Sequence, residues 1–205
     1  MIPGLVEAHL HLSYNNVKQI ADLDLNCPPE YSTLVSAKNA ELALQCGYTA
    51  TRSAGSIHAV DVALKRAINE GLYPGPRLLA AGRDICATGG MADWNPTYLK
   101  LGMEGLALIA DGPEQIRAAV RRVIKDGADV VKCYVGGDAL SEVAARAGVD
   151  SIEHATYASD DTLKRIREPI GAHATSASAC VRAGISASRG TRTASTPRTS
   201  RSSST

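Results

Sequence analysis

Glycine closes one helical stretch after another in this chain, and a strand-like run follows each closure; that alternation constrains the fold more than any other feature. Residues 32–45 carry Leu34, Val35, Ala37, Ala40, Leu42, Ala43 and Leu44 at helical spacing. Ser32 or Thr33 stands as a candidate N-cap and Gly47 as the stop. Tyr48–Arg52 then reads as a strand. The cycle repeats with a helix over Val60–Asn69 before Gly71, a strand over Pro76–Ala81, an amphipathic helix over Pro113–Lys125 before Gly127, and a strand over Asp129–Val135. A short helix over Glu142–Arg146 leads through Gly148 into a strand over Val149–His154, and Asp160–Ile166 is helical again. Strands alternating with helices predict an α/β fold built on parallel strands.

The first strand, Ile2–His11, is apolar until it ends in two imidazoles, and Leu12–Asn16 turns away as a loop. Side chains of a strand alternate faces, so His9 and His11 point to the same side and are spaced to grip one divalent ion at about 2.0–2.1 Å. Two polar residues closing a strand is the plainer alternative. Lys132 shares a strand face with Val130 and Tyr134, where an ammonium is costly unless it is paired, neutralised or modified. A snorkelling lysine at a strand end is the competing reading. His154 ends its own strand as His9 and His11 end theirs, a position shared by ligands and by hydrogen-bonded structural histidines.

Residues 82–112 form an unusually long glycine-containing connection, the kind that serves as a lid or binding loop. Within it, Thr88-Gly89-Gly90 allows close backbone approach to a ligand, and Trp94 is placed to cap a site. His58 reads as a loop or helix-start residue, with substrate contact as its other reading. Tyr134 either hydrogen-bonds a substrate carbonyl or carboxylate or packs as an aromatic at the mouth of the fold.

A net charge of +1, from 22 basic and 21 acidic residues, gives no electrostatic reason for a nucleic-acid or anionic-membrane partner. A small neutral or zwitterionic substrate fits better. The five cysteines are scattered without a C-x-x-C pair, which argues against a disulfide framework and for a reducing compartment. No stretch approaches the roughly 20 apolar residues that span a bilayer, so a cytoplasmic location is expected. After Glu168 no acidic residue occurs, and Ala, Ser, Thr, Arg and Gly dominate. Residues 1–168 are therefore expected to form one domain, and residues 169–205 a disordered low-complexity tail whose composition matches an out-of-frame reading of a GC-rich gene.

Four motifs, Pro3–His11, Thr88-Gly89-Gly90, Val131-Lys132-Cys133-Tyr134 and Gly148–His154, together resemble the amidohydrolase superfamily, in its imidazolonepropionase-like and Xaa-Pro dipeptidase-like group. The resemblance runs in order from Ile2 to about Ile166. It implies a TIM-type (β/α) barrel with the site at the C-terminal ends of the strands. His9 and His11 would hold one divalent metal, zinc being the first choice. Lys132, carboxylated by carbon dioxide, would bridge to a second metal bound by His154, giving one or two metals per chain. A hydroxide between two such ions, about 3.5–4 Å apart, would attack the carbonyl of a small amide, N-acyl amino acid or dipeptide. Lys132 and His154 would thus be the catalytic ligands.

The chain also departs from that pattern. As written it opens on the first barrel strand, without the strand-rich segment that relatives place before it. Only Asp138-Ala139-Leu140 stand where a helix and another histidine-tipped strand belong, and no aspartate follows Ile166. His173 is a weak replacement for the lost histidine. The expected fold is accordingly an incomplete, internally deleted barrel of five strands. Its open edges leave self-association into a homo-oligomer as a further expectation. The alternative function is a non-catalytic fragment that binds metal weakly or only assembles with other chains.

Overall fold

The computed structural model describes residues 2–14, 16–99, 105–134 and 149. Two compact units divide the chain, Met1–Gly136 and Gly137–Thr205. Apart from Val149 the second falls outside the described residues. So do the helices expected over 142–146 and 160–166, most of the strand over 149–154, and the expected boundary between residues 168 and 169.

The first unit begins with β1 (Leu5–Leu10), a short helix α1 (Ala21–Asn26), α2 (Pro29–Gln45) and β2 (Tyr48–Ser53). A 3₁₀ turn (Ile57–Ala59), α3 (Val60–Asn69), β3 (Arg77–Leu79), β4 (Asp84–Cys86), β5 (Ala107–Ile109) and α4 (Gly112–Asp126) follow. β1, β2 and β3 form a parallel sheet in that order, and β4 and β5 form a second parallel pair. The α/β class and its parallel strands are as the sequence pattern predicts.

Several boundaries differ from expectation. Helix α2 starts at Pro29 rather than after a Ser32 or Thr33 cap, because Pro29 takes the first helical turn, where a missing N–H is harmless. Ser32 and Thr33 instead turn their hydroxyls onto the Cys27 and Pro29 carbonyls. The long connection over 82–112 contains β4 and β5, three residues each and too short to show a period of two. The strand expected over Asp129–Val135 is reduced, among the described residues, to one parallel bridge between Ile85 and Cys133. β3 covers only the middle of Pro76–Ala81, and β1 stops one residue short of His11.

Three apolar clusters hold the unit together. Leu12, Ala40, Leu64 and Leu78 join the end of β1 to α2, α3 and β3. Ile85, Ala110, Ala119 and Val123 pack α4 onto β4 and the residue after β5. Leu23, Ile57, Cys86, Ala92 and Leu106 form the third, with Tyr14 and Tyr134 against it. Burying a side chain such as Leu23 or Ile57 stabilises the fold by about 1.5–3 kcal/mol. Asp129 adds a polar tie, accepting from the Ala80 N–H at 2.8 Å and from Lys65 at 2.9 Å. None of the four described cysteines is joined in a disulfide. Among the described residues, no helix is long and apolar enough to cross a membrane.

Candidate metal centre

β1 delivers both imidazoles to one end of the sheet. His9 is on the strand and His11 just beyond it, and their ring centroids lie 5.3 Å apart at 73°. The alternation of a strand accounts for this shared side. The His11 Nδ1 is 3.0 Å from the Gly55 carbonyl oxygen. A carbonyl can only accept, so Nδ1 carries the hydrogen and the Nε2 of the neutral ring keeps its lone pair. That is the tautomer a ligating histidine requires, set by the kind of backbone partner that usually orients one. Tyr14 stacks flat on His11, with centroids 4.1 Å apart at 10°.

The bridge between Ile85 and Cys133 sets Lys132 beside Asp84 of β4. Its ammonium sits 5.6 Å from the centroid of Tyr134, so the two residues expected to share a face do so. Burial pushes the Tyr134 phenol up to about 12, and the carboxylate of Asp84 adds to the shift. Tyr14 is raised as well, first by burial and then by Asp84.

Asp84 is a buried acid near Lys132 that sequence reasoning passed over. It is wholly buried, and neither carboxylate oxygen makes a well-formed hydrogen bond. Burial pushes its carboxyl up to about 8; Lys132 draws it back, whereas Asp61 raises it further. Next to Arg83 and after Gly82, an aspartate reads as a surface turn, and only the buried Ile85 and Cys86 behind it hint otherwise.

The remaining candidates are fixed by polar contacts. Trp94 donates its indole N–H to an Asp24 carboxylate oxygen at 2.6 Å, which ties the long connection to α1. Thr88 is held by Asp111, through its N–H at 3.0 Å and its hydroxyl at 2.5 Å. His58 lies in the 3₁₀ turn with φ 53° and places Nε2 3.1 Å from the Cys27 carbonyl oxygen, in keeping with the helix-start reading. A mostly apolar cavity of about 400 Å³ opens between β1 and α2 beside His11. His154 and His173 lie outside the described residues. Among the described residues no three His, Cys, Asp or Glu side chains are grouped to hold a metal ion, so His9 and His11 stand as a pair.

Comparison with known proteins agrees with the α/β fold. The chain is 30% identical to an ochratoxinase of Aspergillus niger, in a match covering 82% of this chain and 46% of that protein. The identity is counted over 226 aligned positions, more than the 205 residues of the chain, so the relative carries stretches inside the match that this chain lacks. A Xaa-Pro dipeptidase with methionine bound in its active site superposes with a TM-score of 0.71 at 27% identity, covering 81% of this chain and 51% of that one. A prolidase complexed with N-methylphosphonate-L-proline gives the same TM-score and coverage at 24% identity. The chain therefore spans about half the length of the relatives it matches. Its fold is part of a TIM-type (β/α) barrel. The model of the amidohydrolase family matches residues 1–197, and the chain belongs to that family.

Proposed function

We propose that the protein is a metal-dependent hydrolase that cleaves the C–N bond of a small amide, such as an N-acyl amino acid or a dipeptide. The observation that carries this reading is the His9 and His11 pair at the end of β1, with His11 Nδ1 on the Gly55 carbonyl, the backbone contact that orients a ligating imidazole. Imidazole donors suit zinc and also accept other divalent ions. His9 and His11 would hold the first ion, and a carboxylated Lys132 with His154 would serve a second. Metal bound there supplies a Lewis acid and an activated water.

The chain's own residues do the rest. Tyr134, kept protonated by burial, donates to a carbonyl or carboxylate of the substrate. Trp94, steadied by Asp24, covers the apolar part of the ligand. His58 is assigned the structural role that its contact with Cys27 suggests. A small substrate is in keeping with the methionine and the proline phosphonate bound by two structural relatives. Four described cysteines outside any disulfide suit a reducing, cytoplasmic setting.

A second reading is favoured by the stretches that the ochratoxinase match carries and this chain lacks. In that reading the chain binds metal, or assembles with other chains, without turnover. The test is hydrolysis of dipeptides and N-acyl amino acids by zinc-loaded protein, with and without chelator. Activity should vanish with chelator and in His9→Ala or His11→Ala. Chelator-insensitive cleavage would overturn the metal reading, and zinc bound without cleavage would establish the second one.

A further inference from the structure

The carbonyl that orients His11 is itself held by a closed circuit of buried hydrogen bonds. The peptide unit joining Gly55 to Ser56 is bonded at both ends. Its carbonyl oxygen lies 3.0 Å from the His11 Nδ1, and its N–H, that of Ser56, donates to the Gly82 carbonyl at 2.8 Å. In a trans peptide the C=O and N–H point in opposite directions, so fixing the N–H aims the carbonyl. Gly82 is fixed in turn by Asp61, whose Oδ2 accepts from the Ala81 N–H at 2.8 Å and from the Gly82 N–H at 3.1 Å. The Asp61 N–H completes the circuit by donating to the Ser56 Oγ at 3.3 Å. Ser56 and Asp61 are each 1% exposed and Gly82 is buried, so solvent cannot stand in for a lost bond. The same segment grips the chain beyond His11: the Ser13 Oγ accepts from the Ile57 N–H at 3.1 Å and from the Ser56 hydroxyl at 3.2 Å.

We infer that Asp61 and Ser56 are positioning residues for His11, acting through Gly82 and the Gly55–Ser56 peptide. The inference rests on the reading of His11 as a metal ligand and deepens it. A neutral imidazole can carry its hydrogen on either nitrogen. A carbonyl held rigidly at Nδ1 keeps the hydrogen there, fixes the plane of the ring and leaves the Nε2 lone pair for an ion. If the circuit is opened, the Gly55 carbonyl is free to tilt, and both the tautomer and the ring angle lose their constraint. Losing an outer partner of a ligating histidine weakens metal binding by about 10–100-fold. Asp129 provides the contrast: it accepts from the Ala80 N–H, one residue before Ala81, but its other partner is Lys65 and no bond of it leads to Gly55.

The experiment uses the full chain, first metal-free and well above the ordinary histidine pKa of about 6.5. Long-range ¹H–¹⁵N NMR correlations of the imidazole rings report the tautomer, and the His11 signals are identified by their loss in His11→Gln. Zinc affinity is then measured by competition with a chelating dye. Wild type should show His11 with its hydrogen on Nδ1. Asp61→Asn should move the ring toward a mixture of both tautomers and weaken zinc binding at least tenfold. Ser56→Ala, which removes the hydroxyl and keeps the peptide N–H, should shift both readouts in the same direction, and it decides the matter if Asp61→Asn does not fold. Asp129→Asn should leave both as in wild type. An unchanged His11 tautomer in the folded variants of the circuit, or an equal change in Asp129→Asn, would overturn the inference. Absence of zinc binding in every form would defeat the hydrolase reading instead, and the tautomer of the metal-free protein would still decide the positioning.

Discussion

Gly55 does two things that no other residue type could do together. Its carbonyl accepts the His11 Nδ1–H, and its φ of 117° lies where side chains are rarely tolerated. A methyl group there would also meet the Asp84 carboxylate. Gly55→Ala should therefore destabilise the protein by about 3 kcal/mol in urea unfolding, combining backbone strain with overpacking. Gly47 is the comparison: its φ of 93° closes α2, but nothing lies near its missing Cβ. Gly47→Ala should lose only about 1 kcal/mol. Equal losses at the two positions would show that the Asp84 contact contributes nothing. At this scale the sequence was legible wherever a period carried the information. The shared side of His9 and His11 follows from spacing alone, as does that of Lys132 and Tyr134. The burial of Asp84 follows from no local pattern, since Tyr14, Gly55 and Lys132 reach it from distant parts of the chain.

Among the elements, α4 was the most legible. Its helical period is bounded by Pro113 and by Gly127 at φ 106°. α1, β4 and β5 were not, because six or three residues are too few to display a period. The start of α2 was displaced because Ser32 and Thr33 look like caps but serve as side chains bonding back within the turn. What binds these elements includes one carboxylate. Asp129 joins α3, through Lys65, to Ala80 just after β3. Burial raises its carboxyl, but the bonds from Lys65 and Ala80 outweigh that and hold it below the ordinary 3.8. A depressed folded-state value means stability that is present above pH 3.8 and lost as pH falls through the lower folded value. Asp129→Asn should thus lose about 1 kcal/mol at neutral pH. The gap to wild type should close in urea titrations taken progressively below pH 3.8. A gap that persists in acid would mean the charge is not what matters.

For the molecule as a whole, metal and stability are linked. If His9 and His11 ligate zinc in the folded chain only, free zinc at a hundred times its dissociation constant should add about 2.7 kcal/mol of stability. For a chain of this size that raises the melting temperature by roughly 5–10 °C, and the increment should disappear in His11→Ala. Unchanged melting in wild type would argue against a preformed site. The tie between Trp94 and Asp24 has a spectroscopic consequence as well. With one tryptophan in the whole sequence, the protein's red-edge emission comes from a single indole, and that indole bridges α1 to the long connection. Its colour is therefore a built-in gauge of whether those two segments stay together, readable in dilute solution, without a label, while ligands are added.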